Sequence, residues 1–361
     1  MIYLLLILSI LVWPFGQLLN FYPPGFPLTL YPLDLLCLVL TFFLWLSPHS
    51  RRQSLRDPLF KPLAIFLLIA TLSLAVNLSR AVTVGLYPSL FYLLRLFIYP
   101  SVYFSAKLFP GKKITPYLWL SLIFFSSLGL LQYLFLPDLR FLKYLGFDDH
   151  YYRLIGSFFD PNFSGAILAG VSLVLVSLSQ WLLALLPILL LALTFSRASY
   201  LVFFLGLIYL IAVRKQWSLL VFIFLLMGLI AIAPKPFGEG VNLFRTFSIY
   251  SRLESWQTGL NLLLQKPLLG WGYNTLRSAT GARFQIDNSY LYLAATTGLL
   301  GLLAFLNLLR QLLAFVRPVP QKLFLLALLA HSLFNNTLLY IWIYFAFWLV
   351  LATAVKGYKE P

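Results

Sequence analysis

The feature that most constrains this chain is a series of apolar runs of about 17–25 residues, recurring from end to end. An α-helix needs roughly 20 apolar residues to cross a bilayer core, because it rises about 1.5 Å per residue. Runs near residues 2–20, 28–47, 62–78, 86–106, 114–136, 160–179, 181–196, 199–213, 217–234, 288–309, 322–338 and 339–355 mark twelve candidate spans. Pro48-His49-Ser50-Arg51-Arg52, Pro110-Gly111-Lys112-Lys113 and Arg317-Pro318-Val319-Pro320 separate them and cannot continue as lipid-facing helix. The runs are continuous rather than alternating, which argues against a β-barrel. Only 10% of the residues are charged, against roughly 25% in a soluble domain. The expected fold is all-α, a polytopic transmembrane bundle forming one membrane domain over residues 1–361. Residues 2–20 lack a charged leader and a small-residue cleavage site, so they read as a retained span. The single cysteine, Cys37, leaves no internal disulfide to form.

The formal charge of +16 would suit nucleic acid if it were clustered. The basic residues instead occupy short loops between spans, so the charge reads as topology and no nucleic-acid partner is expected. With a cytoplasmic N-terminus, the inner loops hold fourteen Lys and Arg against two acids, Asp57 and Glu360. The outer loops hold eleven against seven acids: Asp138, Asp148, Asp149, Asp160, Glu239, Glu254 and Asp287. Both termini are then expected in the cytoplasm.

The outer cations are more informative than the inner ones, because orientation gains nothing from them. Eight of the eleven are arginine: Arg80, Arg140, Arg153, Arg197, Arg245, Arg252, Arg277 and Arg283. A guanidinium is a planar fork suited to phosphate oxygens. The plainer alternative is pairing with outer acids or lipid headgroups. Arg95 lies inside the fourth run, where an arginine costs about 2.5–3.5 kcal/mol on insertion scales. Asp34 in the second run is at comparable depth, so either the two pair or they serve a ligand.

Two outer segments are long enough to carry chemistry, 137–159 and 235–287. In the second, a periplasmic loop, Ser251-Arg252-Leu253-Glu254 has capping-box spacing and opens an expected amphipathic helix over about 251–266. Arg252, Trp256, Gly259 and Leu263 share one of its faces. Such a helix either lies on the membrane surface or presents a cation and an indole to a lipid-linked anion. Asp160-Pro161 reads as an N-cap with proline in the first turn, which sets a positive helix end at the outer surface. Asp287-Asn288-Ser289 starts another helix, with capping as the plain role of Asp287. Thr194-Phe195-Ser196-Arg197-Ala198-Ser199 breaks the apolar pattern on the same side.

In this order the segments resemble the O-antigen ligase and O-antigen polymerase superfamily. The elements are Gly156-Ser157-Phe158-Phe159-Asp160-Pro161-Asn162-Phe163, Leu193-Thr194-Phe195-Ser196-Arg197-Ala198-Ser199-Tyr200, Arg252 with Trp256, and Lys266-Pro267-Leu268-Leu269-Gly270-Trp271-Gly272. Asp287-Asn288-Ser289-Tyr290-Leu291, Thr297-Gly298-Leu299-Leu300-Gly301 and His331-Ser332-Leu333-Phe334 complete the series. The resemblance covers roughly residues 150–350. One departure is that the family usually carries histidine where this chain has Asp287.

What the resemblance implies is a glycosyltransferase of the cytoplasmic membrane. Its donor would be a polyprenyl-diphosphate-linked glycan, its acceptor a lipid, glycan or protein hydroxyl, and its active face periplasmic. No cofactor is implied. Arg197 and Arg252 would stabilise the leaving diphosphate without a metal, with Arg153 and Arg245 assisting. Asp287 or His331 would take the acceptor proton. Trp256, Trp271, Asn162 and Asn288 are the remaining candidate substrate contacts. The competing expectations are a transporter or flippase for an anionic lipid-linked glycan, and a non-catalytic assembly subunit. Transport predicts ionisable residues through the bundle midplane and repeated broken helices, whereas only Arg95 and Asp34 lie inside spans.

Overall fold

In the computed structural model, residues 1–22, 28–79, 86–109, 114–236, 238–276 and 286–354 are described. Arg80, Lys112, Lys113, Arg277, Arg283, Lys356, Lys359 and Glu360 lie outside them. The described residues are helical, with two isolated β-bridges, Phe21 to Leu30 and Asp138 to Tyr151. The α-helices are α1 (Ile2–Val12), α2 (Pro32–Leu46), α3 (Pro48–Leu55), α4 (Phe60–Val76), α5 (Leu86–Ile98), α6 (Ser101–Lys107), α7 (Thr115–Phe135) and α8 (Pro161–Ser177). They continue with α9 (Trp181–Leu193), α10 (Arg197–Arg214), α11 (Leu220–Ile232), α12 (Phe247–Gln265), α13 (Ser289–Phe315), α14 (Val319–His331) and α15 (Ile341–Ala354).

Each of the twelve apolar runs carries helix. Among the described residues, four helical stretches are by themselves long and apolar enough to cross a membrane: Leu86–Lys107 (α5 running into α6), Thr115–Phe135, Arg197–Arg214 and Ser289–Phe315. The pair α2 and α3, bent by 96° at Ser47, makes a fifth if it counts as one span. The others are apolar helices of 10–17 residues. Many of their outward side chains are leucine, Leu182 being 84% exposed, which suits contact with lipid.

The hub is α8, almost wholly buried between α9, α10 and α14. Small residues allow this. A Cβ at Gly165 would stand 2.6 Å from Ser199 Oγ, and one at Gly170 would stand 2.7 Å from the Phe324 ring. Around the hub, α13 packs on α4 and α12, α1 packs on α2 and α7, and α15 packs on α6 and α14.

Of the two readings open for the intramembrane charges, pairing with each other is the one the structure shows. Arg95 Nε donates to Asp34 Oδ1 at 2.8 Å and Nη2 to Oδ2 at 2.7 Å, with both residues buried. Tyr99 donates to the same carboxylate at 2.9 Å, so both oxygens of the buried Asp34 are answered, as burial requires. A second buried pair, Lys107 Nζ to Asp57 Oδ2 at 2.5 Å, joins two residues that the sequence places in separate inner loops.

Two sequence motifs turn out to be packing partners. The turn after α12 docks into a kink of α13 at Gly298, whose φ is +71°. Trp271 N–H bonds Ala295 O at 3.1 Å, Gly272 N–H bonds Thr296 O at 2.9 Å, and Leu299 N–H bonds Pro267 O at 2.7 Å. Gly270 (φ +64°) lies so close that its Cβ would stand 2.5 Å from Thr296 C. Both positions therefore require glycine, by left-handed backbone and by contact.

Candidate functional site

The starts of α8, α10 and α13 and the end of α14 meet at one end of the bundle. Three polar N-caps hold them there. Asp160 Oδ1 accepts from Asn162 and Phe163 N–H at 2.6 and 3.1 Å. Ser196 accepts from Ser199 N–H, and Asn288 Oδ1 accepts from Tyr290 and Leu291 N–H at 3.0 Å each. The expected plain role of Asp287 therefore belongs to its neighbour Asn288, whose side chain is committed to the cap. Three positive helix ends at one place favour anions.

Four of the arginines that the sequence assigns to outer loops, Arg153, Arg197, Arg245 and Arg252, gather at this end, while Arg140 is exposed and pairs with Asp138. Arg153 is buried and donates from Nε to Thr194 O at 2.9 Å and from Nη2 to Phe195 O at 3.3 Å. Arg245 Nη2 reaches the same Phe195 carbonyl at 3.2 Å. Arg197 Nη1 donates to Leu243 O and Arg245 O at 3.1 and 2.9 Å, and its Nη2 to Ser248 Oγ at 2.6 Å. Arg252 Nε donates to Phe334 O at 2.9 Å and Nη2 to Asn335 Oδ1 at 3.3 Å. Like charges here press on one another. Burial, and then Arg245, pull Arg153 down to about 9, still charged at neutral pH. Burial lowers Arg252, with Asp287 opposing and Arg197 reinforcing that shift. Arg197 and Arg252 thus sit in each other's field, beside Asp160 and Asp287.

Asp287 is half-buried. Its backbone is fixed: its O accepts from the Trp256 indole at 3.0 Å and its N–H donates to Ser255 Oγ at 3.3 Å. Its carboxylate makes no hydrogen bond among the described residues. Burial raises its pKa to about 6, against the pull of Arg252 and with Asp160 and Asp148 adding to the rise. A carboxyl poised near neutrality suits proton transfer.

Helix α12 begins at Phe247, a turn before the Ser251-Arg252-Leu253-Glu254 spacing, so that spacing lies inside the helix and caps nothing. The face expected to hold Arg252, Trp256, Gly259 and Leu263 does point inward, while Leu253, Leu260 and Leu264 are exposed. The Trp271 indole donates to Leu262 O at 2.8 Å, and Lys266 Nζ stands 4.4 Å from its ring centre.

His331 is fully buried. It lies between Thr337 Oγ1, 2.7 Å from Nδ1, and Ser199 Oγ, 3.1 Å from Nε2, and has no direct access to an acceptor. Asn335 was not singled out by its sequence context, because the Arg252 contact that reveals it spans a separation of 83 residues.

Residues 182–306 match the family model described as O-antigen ligase. This segment carries the Ser196-Arg197 break, Arg252, the glycine turn and Asp287. The match supports the O-antigen ligase and polymerase superfamily. It also supports, in general terms, O-antigen ligase- or polymerase-like glycosyl transfer by a membrane protein. No curated protein matches the chain.

Proposed function

We propose that this protein moves a glycan from a polyprenyl-diphosphate carrier to an acceptor hydroxyl at the outer face of the cytoplasmic membrane. In this reading the shorter apolar helices cross along with the long ones, both termini lie inside, and residues 235–287 form the periplasmic side of the site.

The observation that carries the reading is the placing of Arg252 between Arg197 and Asp287 at the shared helix starts, where the Asp287 carboxylate makes no hydrogen bond among the described residues. The bond between the anomeric carbon and the diphosphate oxygen breaks, and its electron pair leaves with the carrier diphosphate. The acceptor oxygen bonds to the anomeric carbon, and its proton passes to the Asp287 carboxylate. Arg197 and Arg252 neutralise charge as it grows on the leaving oxygen, where fixed donors act without reorganisation. Arg153 and Arg245 keep the pocket positive and hold the Phe195 turn. Trp256 positions Asp287 through its backbone, and its half-buried ring borders the site. Asn162 is a substrate donor at the mouth.

The test is reconstitution of the purified protein in vesicles with a polyprenyl-diphosphate glycan, measuring release of the free carrier with and without a chelator. Chelator-insensitive release supports the reading. Movement of the intact lipid-linked glycan across the vesicle without release points to a flippase and refutes it.

A further inference from the structure

A chain of buried hydrogen bonds runs from the turn after α14 to the mouth of the site. Thr337 Oγ1 is 2.7 Å from His331 Nδ1, and His331 Nε2 is 3.1 Å from Ser199 Oγ. Ser199 Oγ is 2.8 Å from Ser196 Oγ, which is 3.1 Å from Asn162 Oδ1. Thr337, His331, Ser199 and Ser196 are fully buried, and Asn162 is half-buried. The chain crosses α14, the α9–α10 break and α8, where the absent side chain of Gly165 makes room for Ser199.

Each member has a limited supply of protons, so with Ser199 donating along the chain rather than to the more distant Asn162 O at 3.4 Å, the chain runs in one of two directions. In the first, Thr337 donates to Nδ1, Nε2–H donates to Ser199, Ser199 to Ser196, and Ser196 to Asn162 Oδ1. In the second every bond reverses, His331 carries its proton on Nδ1, and Asn162 donates inward. The second direction strands the Thr337 hydroxyl proton, for which the described residues offer no other acceptor, in a fully buried position. An unanswered buried donor costs about 1–3 kcal/mol. The first direction uses every buried proton.

We infer that Thr337, His331, Ser199 and Ser196 form a one-way hydrogen-bond chain that pins Asn162 Oδ1 inward and presents its Nδ2 protons as donors to a substrate oxygen. His331 is then a positioning residue that acts through two serines, not the proton acceptor. The identity of the oxygen, on a sugar or a phosphate, rests on the functional reading above; the direction of the chain does not.

The chain holds three histidines, so ¹⁵N labelling of histidine gives a readable spectrum, with His331 assigned by its loss in His331→Asn. The wild-type protein is expected to show His331 neutral and protonated on Nε2. Thr337→Val, which removes the donated proton without changing shape, abolishes that preference, and Thr337→Ser keeps it. In vesicles, Thr337→Val raises KM for the polyprenyl-diphosphate glycan about fivefold to tenfold and leaves kcat within about twofold, on the scale of one misdirected hydrogen bond, and Thr337→Ser restores KM. An Nδ1-protonated His331 overturns the inference whatever the activity. The expected tautomer with an unchanged KM in Thr337→Val overturns the presenting role. A wild-type protein with the expected tautomer but no carrier release refutes the functional reading alone.

Discussion

If Asp287 takes the acceptor proton, its environment sets the acid limb of the pH profile. Burial lifts its pKa to about 6 while Arg252 restrains the rise. The working form is the carboxylate, so kcat/KM should fall as pH drops through that value. About nine-tenths of the group is ionised at pH 7 and just under one-tenth at pH 5, so the loss between them is about tenfold. Arg252→Gln removes the charge that favours the carboxylate, and the limb should move to higher pH as well as to lower rate. Asp287→Asn keeps the shape but accepts no proton, and should cost about 10²–10⁴-fold in kcat at neutral pH. The assay is carrier release from vesicles over pH 5–8, with thermal unfolding followed alongside to separate stability from chemistry. A flat kcat/KM between pH 5 and 7, or near-normal turnover by Asp287→Asn, refutes the assignment of Asp287 as base.

Three further outcomes test the frame around the site. Reversing Asp34 and Arg95 together should restore part of the folded yield that either single reversal loses, because each alone leaves like charges buried together; no rescue in size-exclusion yield counts against the pair. Gly298→Ala should destabilise the protein by more than about 2 kcal/mol, since it adds a left-handed backbone penalty to a Cβ placed 2.0 Å from Leu268 O; an unchanged unfolding temperature contradicts the docked turn. Asp160→Ala should cost about 1 kcal/mol through loss of the α8 cap, read in the same thermal assay.

The helices, the Asp160 cap, the break before Arg197 and the Asp34–Arg95 pair were legible because each is written locally or forced by the expense of a charge in an apolar run. Lys107 and Asp57 were not, since both sit beside interruptions and their pairing depends on how two helix ends fold back. The Ser251-to-Glu254 spacing misled because aromatic and polar residues from Phe247 already extend the helix beyond it. The role of His331 was hidden for a different reason. The sequence shows a histidine near a span end, but only the packing of α8, the α9–α10 break and α14 shows that it is enclosed. Likewise nothing local distinguishes Asp287 from Asn288 as the cap; the backbone at the start of α13 decides it and leaves the carboxylate without a hydrogen bond among the described residues.

The central claim is that guanidinium forks stabilise the departing diphosphate, and the most direct measurement is single-turnover carrier release by a purified Arg197→Lys, Arg252→Lys double variant that retains the wild-type unfolding temperature. A lysine keeps the charge but loses the fork and the bonds that aim it. The expected result is a fall in kcat of at least about 100-fold, comparable to removing one oxyanion donor. Release at the wild-type rate would contradict the claim.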